Sequence, residues 1–278
     1  MLDGFSCYIG TIFTIMVVKK SFNRRNKNTM NIEAYYERIG MKKPECLNKT
    51  ALDEIILKHQ CTIPFEDLTS NYLKEEVFLD YDKLFEKVIT KKRGGYCFEL
   101  NGLFKEFLCE SGFDAYCCFA KVMGMERPIM HRGVIVKIDG ELNFADVGFG
   151  GPMPPGAIKI VDGLRQVVDG ETFWFEKRDG QWWALMRLDE RGKEVPVILI
   201  TLDPQMDVDF NALNYYCWSN PASRFVNVRL VNLRLPNGHY SITDDVFVKK
   251  IDGEKTEETI ASDERFREIL KEYFSIVL

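Results

Sequence analysis

The chain has 278 residues, enough for roughly one to three compact units with a large core. Its 46% hydrophobic and 28% charged residues are ordinary for a globular protein, and a formal charge of −5 with no domain-wide basic excess argues against nucleic acid as a partner. Eight cysteines in a chain of this length, with no Cys-x-x-Cys, make neither a disulfide scaffold nor the common zinc or thioredoxin patterns, so a reducing cytoplasmic setting and no metal are expected.

The first 29 residues stand apart. Phe5 to Val18 is mostly apolar but shorter than the about 20 residues that cross a bilayer. A signal peptide carries its positive charge before the apolar run. Here Asp3 precedes it, and Lys19, Lys20, Arg24, Arg25 and Lys27 follow. Residues 1–29 are therefore read as an extension outside the main fold, with a membrane anchor as the competing reading.

From Met30 the pattern is helical. Ile32 to Ile39, stopped by Gly40, reads as a short helix. Thr50 is expected to cap a second, with Leu52, Ile55 and Ile56 inward and an end before Pro64. Asp80 is expected to cap a third, with Leu84, Phe85, Val88 and Ile89 at helical spacing. Arg93-Gly94-Gly95-Tyr96-Cys97-Phe98-Glu99-Leu100-Asn101 then places a cysteine directly after a glycine turn, at the start of a helix striped by Leu100, Phe104, Phe107 and Leu108 and stopped by Gly112. A helix N-terminus presents unpaired N–H groups and partial positive charge, which favour the thiolate, and the thiolate is the nucleophile.

Strands follow. Ala115 to Val122 is one, with Cys117 and Cys118 on opposite faces. Val134 to Ile138 and Leu142 to Ala145 flank Asp139-Gly140; Phe173 to Glu176 and Trp182 to Leu188 flank Asp179-Gly180; Val195 to Thr201 is a further strand. His131 precedes the second of these runs, and Asp146 lies in Phe144-Ala145-Asp146-Val147-Gly148-Phe149-Gly150. Cys97, His131 and Asp146 thus supply, in order, a nucleophile, a base and an orienting carboxylate. Taken singly, each also reads as a buried thiol, a strand histidine or a turn aspartate. Arg132 beside the histidine would disfavour an imidazolium, but strand alternation points it to the other face. Gly148 to Gly156 is a loop by composition. Lys91-Lys92-Arg93 reads equally as a solvated helix end and as a lure for an anionic donor. The last part begins near Asp207. It holds a helix over Phe210 to Trp218 broken by Pro221, strands Phe225 to Leu235 and Tyr240 to Val248 around Asn237-Gly238, and a helix capped by Ser262 with Phe266, Ile269, Leu270, Tyr273 and Phe274 on one face. His239 has no motif around it and reads as structural.

The nine-residue cysteine segment resembles the nucleophile signature of the arylamine N-acetyltransferases. Pro64-Phe65-Glu66-Asp67-Leu68 is similar to that family's Pro-Phe-Glu-Asn-Leu, with Asp67 where Asn is usual. His131 and Asp146 to Gly150 stand where its histidine and aspartate segments stand, flanked here by Met130 and Arg132 where Thr and an apolar residue are common. Trp218 to Phe225 is loosely similar to its Ser/Pro/Ser/Phe segment. The resemblance covers roughly Met30 to the C-terminus. It implies an α+β fold: a helical domain over 30–112, a small β-barrel over 113–206, an α/β lid over 207–278 and a papain-like Cys-His-Asp core. It implies ping-pong acetyl transfer through acetyl-Cys97, with acetyl-CoA as donor and no metal, to arylamines, hydrazines and N-hydroxyarylamines in xenobiotic metabolism. Phe65, Phe98 and Phe225 would line the acceptor pocket, and Gly150, Gly151 and Ser223 the donor site. Three other readings use the same residues: a cysteine hydrolase or transglutaminase-like amide exchange, an amide-forming acyltransferase of natural-product assembly fed by a carrier-bound thioester, and a non-catalytic binding module.

Overall fold

A computed structural model describes residues 30–122, 126 and 128–278 of the protein; the extension read at 1–29 lies outside the described residues. The first part is helical. Helix α1 (Ile32–Arg38) is capped by Asn31, whose side chain accepts from Ala34 N. Helix α2 (Lys49–Gln60) begins earlier than Thr50 predicts, because Asn48 sits extended and its Oδ1 accepts from Ala51 N, which places Thr50 inside the first turn. Strand β1 (Phe65–Glu66) and the single turn α3 (Leu68–Asn71) lead to α4 (Tyr81–Phe85). Asp80 caps α4 as expected, accepting from Asp82 N and Lys83 N, and the helix widens into a π turn over Glu86–Thr90. Helix α5 (Cys97–Ser111) ends at Gly112, whose φ of +110° suits glycine.

Eight strands form one antiparallel sheet: β2 (Asp114–Val122), β3 (His131–Ile138), β4 (Glu141–Ala145), β5 (Ile158–Lys159), β6 (Gln166–Val168), β7 (Glu171–Lys177), β8 (Trp183–Leu188) and β9 (Glu194–Ile200), in the order β5-β4-β3-β2-β9-β8-β7-β6. The end strands do not pair, but the Gln166 side chain accepts from Lys159 N and donates to Lys159 O, both at 2.9 Å, so the sheet is a nearly closed tube. Alternation along β3 separates two cores. Val134 and Val136 face outward onto α5, with Leu100, Phe104 and Phe107. Ile135 faces inward with Cys118, Phe144, Phe175 and Leu185.

The last part departs twice from its expected strands. A 3₁₀ turn (Asp207–Phe210) runs into α6 (Asn211–Ser219), and Arg224–Asn227 forms a short helix, α7, where a strand was expected to begin. Ser223 causes this, because its Oγ accepts from Phe225 N and caps the turn. The strand starts only at Leu230. The run expected from Tyr240 to Val248 is two strands, since Asp244 adopts φ +53° and turns the chain. The result is a five-stranded sheet of β1, β10 (Leu230–Leu235), β11 (Gly238–Thr243), β12 (Val246–Ile251) and β13 (Glu254–Thr259), in that order. Helix α8 (Asp263–Phe274), capped by Ser262, closes its core with Phe266, Ile269, Leu270 and Phe274 around Phe247. Because β1 pairs Phe65 with Asn232 and Glu66 with Val231, this sheet is tied directly to the segment preceding the cysteine loop.

Candidate active site

The cysteine loop is held by buried charge. A Cβ at Gly94 would fall 1.9 Å from the Pro64 carbonyl oxygen, so only glycine fits. Gly95 O accepts from Glu66 N at 2.9 Å. Arg93 Nη2 lies 2.8 Å and Lys87 Nζ 3.8 Å from Glu66 Oε1, and Lys87 Nζ lies 2.7 Å from Glu99 Oε1. Glu99 Oε2 accepts from Tyr96 N at 3.1 Å, fastening the first turn of α5. Burial works against ionisation of Glu66, yet Lys87 and Arg93 hold its carboxyl below its usual range. Glu99 is shifted up, because burial and the Glu66 charge outweigh Lys87 and the Tyr96 N–H bond. Tyr96 OH donates to Asn214 Oδ1 of α6 at 2.5 Å. Cys97, 2% exposed, is the first residue of α5, where backbone N–H groups have no intrahelical acceptor.

Strand β3 begins at His131 itself, and its ring turns toward α5. His131 Nε2 is 2.6 Å from Asp146 Oδ2, and the Cys97 side chain lies close enough to the ring to act on its charge, while Cys97 Sγ donates to Met130 O at 3.8 Å. Burial opposes an imidazolium here, but Asp146 and Cys97 overcome it and raise the pKa to about 10. Asp146 Oδ1 accepts from Gly148 N at 2.9 Å. Asn101, one turn after Cys97 on α5, binds both flanks: its Nδ2 donates to Arg132 O at 2.6 Å and its Oδ1 accepts from Val147 N at 2.9 Å. The structure thus brings Cys97, His131 and Asp146 together. The sequence assigned no role to Asn101 or Glu99, although both lie in the nine-residue segment, and it read Arg93 as part of a solvated helix end or a lure for an anionic donor, whereas Arg93 is buried and paired with Glu66.

The pocket residues divide. Phe65 is 7% exposed, its ring centroid 6.4 Å from that of Phe225, and Phe225 stands edge-on to Tyr96 at 5.1 Å. Phe98 is fully buried against Tyr96 and Phe210 in the cluster that also holds Cys97. A cavity of about 850 Å³ runs to Asp146, Phe149 and Phe65, with Gly150 and Gly151 in its wall. Gly150 has φ +70°, and a Cβ there would strike the Phe65 ring at 2.4 Å. Ser223 does not line this cavity: its Oγ donates to Cys217 O at 2.5 Å and caps α7, so its hydroxyl is committed to the backbone.

Arg132 points away from His131, as alternation requires. Its Nε donates to Cys117 Sγ at 3.0 Å, its guanidinium lies 4.5 Å from the Phe210 ring centroid, and Nη2 pairs with Asp207, which Lys105 Nζ also meets at 3.2 Å. Asp207 lies far along the chain, and nothing in the local pattern marked it. Among the described residues no group of three His, Cys, Asp or Glu side chains could hold a metal ion, and no helix is long and apolar enough to cross a membrane.

Fold and sequence both define an acetyltransferase. A family model described as N-acetyltransferase matches residues 49–278. An arylamine N-acetyltransferase of Escherichia coli is 31% identical over 208 residues, 73% of each chain, and arylamine N-acetyltransferase 1 of the rabbit Oryctolagus cuniculus is 27% identical over 90% of this chain and 95% of its own. The solved arylamine N-acetyltransferase of Salmonella typhimurium superposes with a TM-score of 0.82 at 27% identity, covering 88% of this chain and 90% of that one. The Mycobacterium smegmatis structure gives 0.81 at 26%, covering 89% and 92%. The chain belongs to the arylamine N-acetyltransferase family.

Proposed function

We propose that the protein transfers acetyl from acetyl-CoA to arylamines, hydrazines and N-hydroxyarylamines by a ping-pong reaction through acetyl-Cys97, on a papain-like Cys-His-Asp core. The observation that carries this is a buried imidazole between a helix-first thiol and a buried carboxylate. His131 takes the Cys97 proton, and Asp146 orients the ring and stabilises its charged form. The thiolate attacks the thioester carbonyl; the C–S bond to coenzyme A breaks and coenzyme A leaves as the thiol. The amine then attacks acetyl-Cys97, and His131 takes its proton and returns one to sulfur. The Cys97 N–H at the start of α5 binds the oxyanion. A weakly basic arylamine suits this route, because a thiolate leaves more readily than an alkoxide.

The cavity ending at Asp146 and Phe149 is large enough for the donor, with Gly150 and Gly151 permitting close approach. Phe65 and Phe225 flank the acceptor, Phe98 supports them from the core, and Ser223 acts as the cap that sets Phe225 in place. In this reading residues 30–112 carry the nucleophile, 113–206 the base and carboxylate, and 207–278 the lid. The seven cysteines among the described residues are all free, which supports a reducing, cytoplasmic site of action.

The test is intact-mass analysis of the protein with acetyl-CoA and no amine. One acetyl group on Cys97, removed by 4-aminosalicylate with formation of the N-acetyl product, is expected. Absence of the adduct, or its failure to pass to amine, overturns the reading.

A further inference from the structure

The cavity described above has a second end, away from the nucleophile, and its mouth is ringed by turns from both sheets: residues 169–172, 188–190 and 235–239. Arg187, Arg234, Lys250 and His239 face it. Three of these groups meet carboxylates across the mouth. Glu171 lies 3.5 Å from Arg187 Nη1 and 3.7 Å from Arg234 Nη1, and Glu190 lies 2.5 Å from Lys250 Nζ. The Glu171–Arg234 and Glu190–Lys250 contacts join the eight-stranded tube to the five-stranded sheet.

These are surface pairs, the two at Glu171 long and the one at Glu190 short. Both Glu171 distances exceed those of a charge-assisted hydrogen bond, and the Glu171 and Glu190 side chains are 37% and 82% exposed, where an ion pair contributes little. Arg234 is fixed independently, because its Nη2 donates to Met153 O at 2.6 Å, so its guanidinium keeps its place when Glu171 releases it. Of the other carboxylates at the mouth, Asp189 accepts with Oδ1 from Arg191 N and Lys193 N in its own turn, and Asp169 sits in the turn before β7. After burial, Lys250 and Arg234 are the chief causes that lower the His239 pKa, which marks a positive local field.

We propose that Arg187, Arg234 and Lys250 bind the phosphates of a phosphorylated thioester donor, with Glu171 and Glu190 as placeholder carboxylates that those phosphates displace. This rests on the transfer reaction proposed above and adds the groups that recognise the donor. Two guanidinium forks and one ammonium suit phosphate oxygens. The exchange gives up only exposed pairs, and it places the recognition groups on both sheets, so donor binding draws the tube and the five-stranded sheet together.

The test compares Cys97 acetylation by acetyl-CoA with acetylation by S-acetyl-N-acetylcysteamine, a thioester without phosphate, followed by intact mass. Wild type, Arg187→Gln, Lys250→Gln and Glu190→Gln are assayed at low ionic strength. The ratio of the two rates is expected to fall about threefold to tenfold in Arg187→Gln and Lys250→Gln and to rise about twofold in Glu190→Gln. The differences shrink in about 0.5 M salt. An unchanged ratio in all three variants, with the wild type acetylated by both thioesters, overturns the phosphate site and leaves the transfer chemistry standing. A wild type acetylated by neither overturns both.

Discussion

His131 and Arg132 are neighbours on one strand, each pairs with a carboxylate, and the two pairs are built to different ends. The His131–Asp146 pair is buried on both sides, at 3% and 2% exposure, and a third group, the Cys97 sulfur, faces the ring. The Arg132–Asp207 pair is buried on one side only: the Asp207 side chain is 45% exposed and Lys105 shares it. A buried pair keeps its charges only where partners compensate lost hydration. On the first face that compensation runs through the thiol. On the second it runs into solvent and a second cation, and the nearby sulfur, Cys117, has no imidazole. In the proposed mechanism the first face serves proton transfer, while the second holds α5, β2 and the segment after Asp207 in place.

The sharpest way to break this contrast is to remove each carboxylate or cation in turn. Asp146→Asn keeps the shape but loses the charge that orients and stabilises the imidazolium, and steady-state N-acetylation should fall about 10³- to 10⁴-fold. Far-UV and near-UV circular dichroism should stay native. Arg132→Met should do the reverse: urea unfolding should show a loss of about 1–3 kcal/mol, while acetylation of Cys97 per folded molecule changes only a few-fold. If Arg132→Met silenced Cys97 without loss of stability, the division between the faces would be wrong.

A smaller effect concerns Asp67, which stands where the family usually has Asn. It is 3% exposed; Oδ1 accepts from Leu230 N at 2.9 Å, and Oδ2 has no hydrogen-bond partner. Burial, reinforced by Glu66 and opposed by the Leu230 bond, pushes its pKa up to about 8. The folded state therefore holds this proton more tightly than the unfolded chain does. Stability falls as pH rises from the unfolded value near 4 to about 8, then levels. Asp67→Asn should be nearly neutral at pH 4 and stabilise by about 1–2 kcal/mol at pH 8.5, read from urea midpoints. Equal stabilisation at both pH values would show that ionisation is not the cause.

Much of the site was legible because it depends on local signals. A glycine turn before Cys97 and an apolar stripe after it define a helix start, and Asp139-Gly140 fixes the hairpin that returns β4, and Asp146 after it, to His131. The errors have local causes too: Asn48 takes the cap from Thr50, Ser223 turns Phe225 into a helix, and Asp244 splits one strand into two. What stayed hidden is long-range. No short window connects Lys87 with Glu99 and Glu66, Arg132 with Asp207, Tyr96 with Asn214, or β1 with β10. These partners are selected by tertiary packing, and each reads alone as an ordinary surface charge or helix residue. Nor could alternation reveal that β2 pairs with β9, the contact that joins the two halves of the eight-stranded sheet.

The central claim is that His131 activates Cys97. The direct measurement is the rate at which iodoacetamide alkylates Cys97 near pH 7, by peptide mass, in the wild type and in folded His131→Gln. A fall of at least about tenfold in the variant is expected, because thiolate is the reacting species and its imidazolium partner is gone. Equal rates in the two proteins would contradict the account.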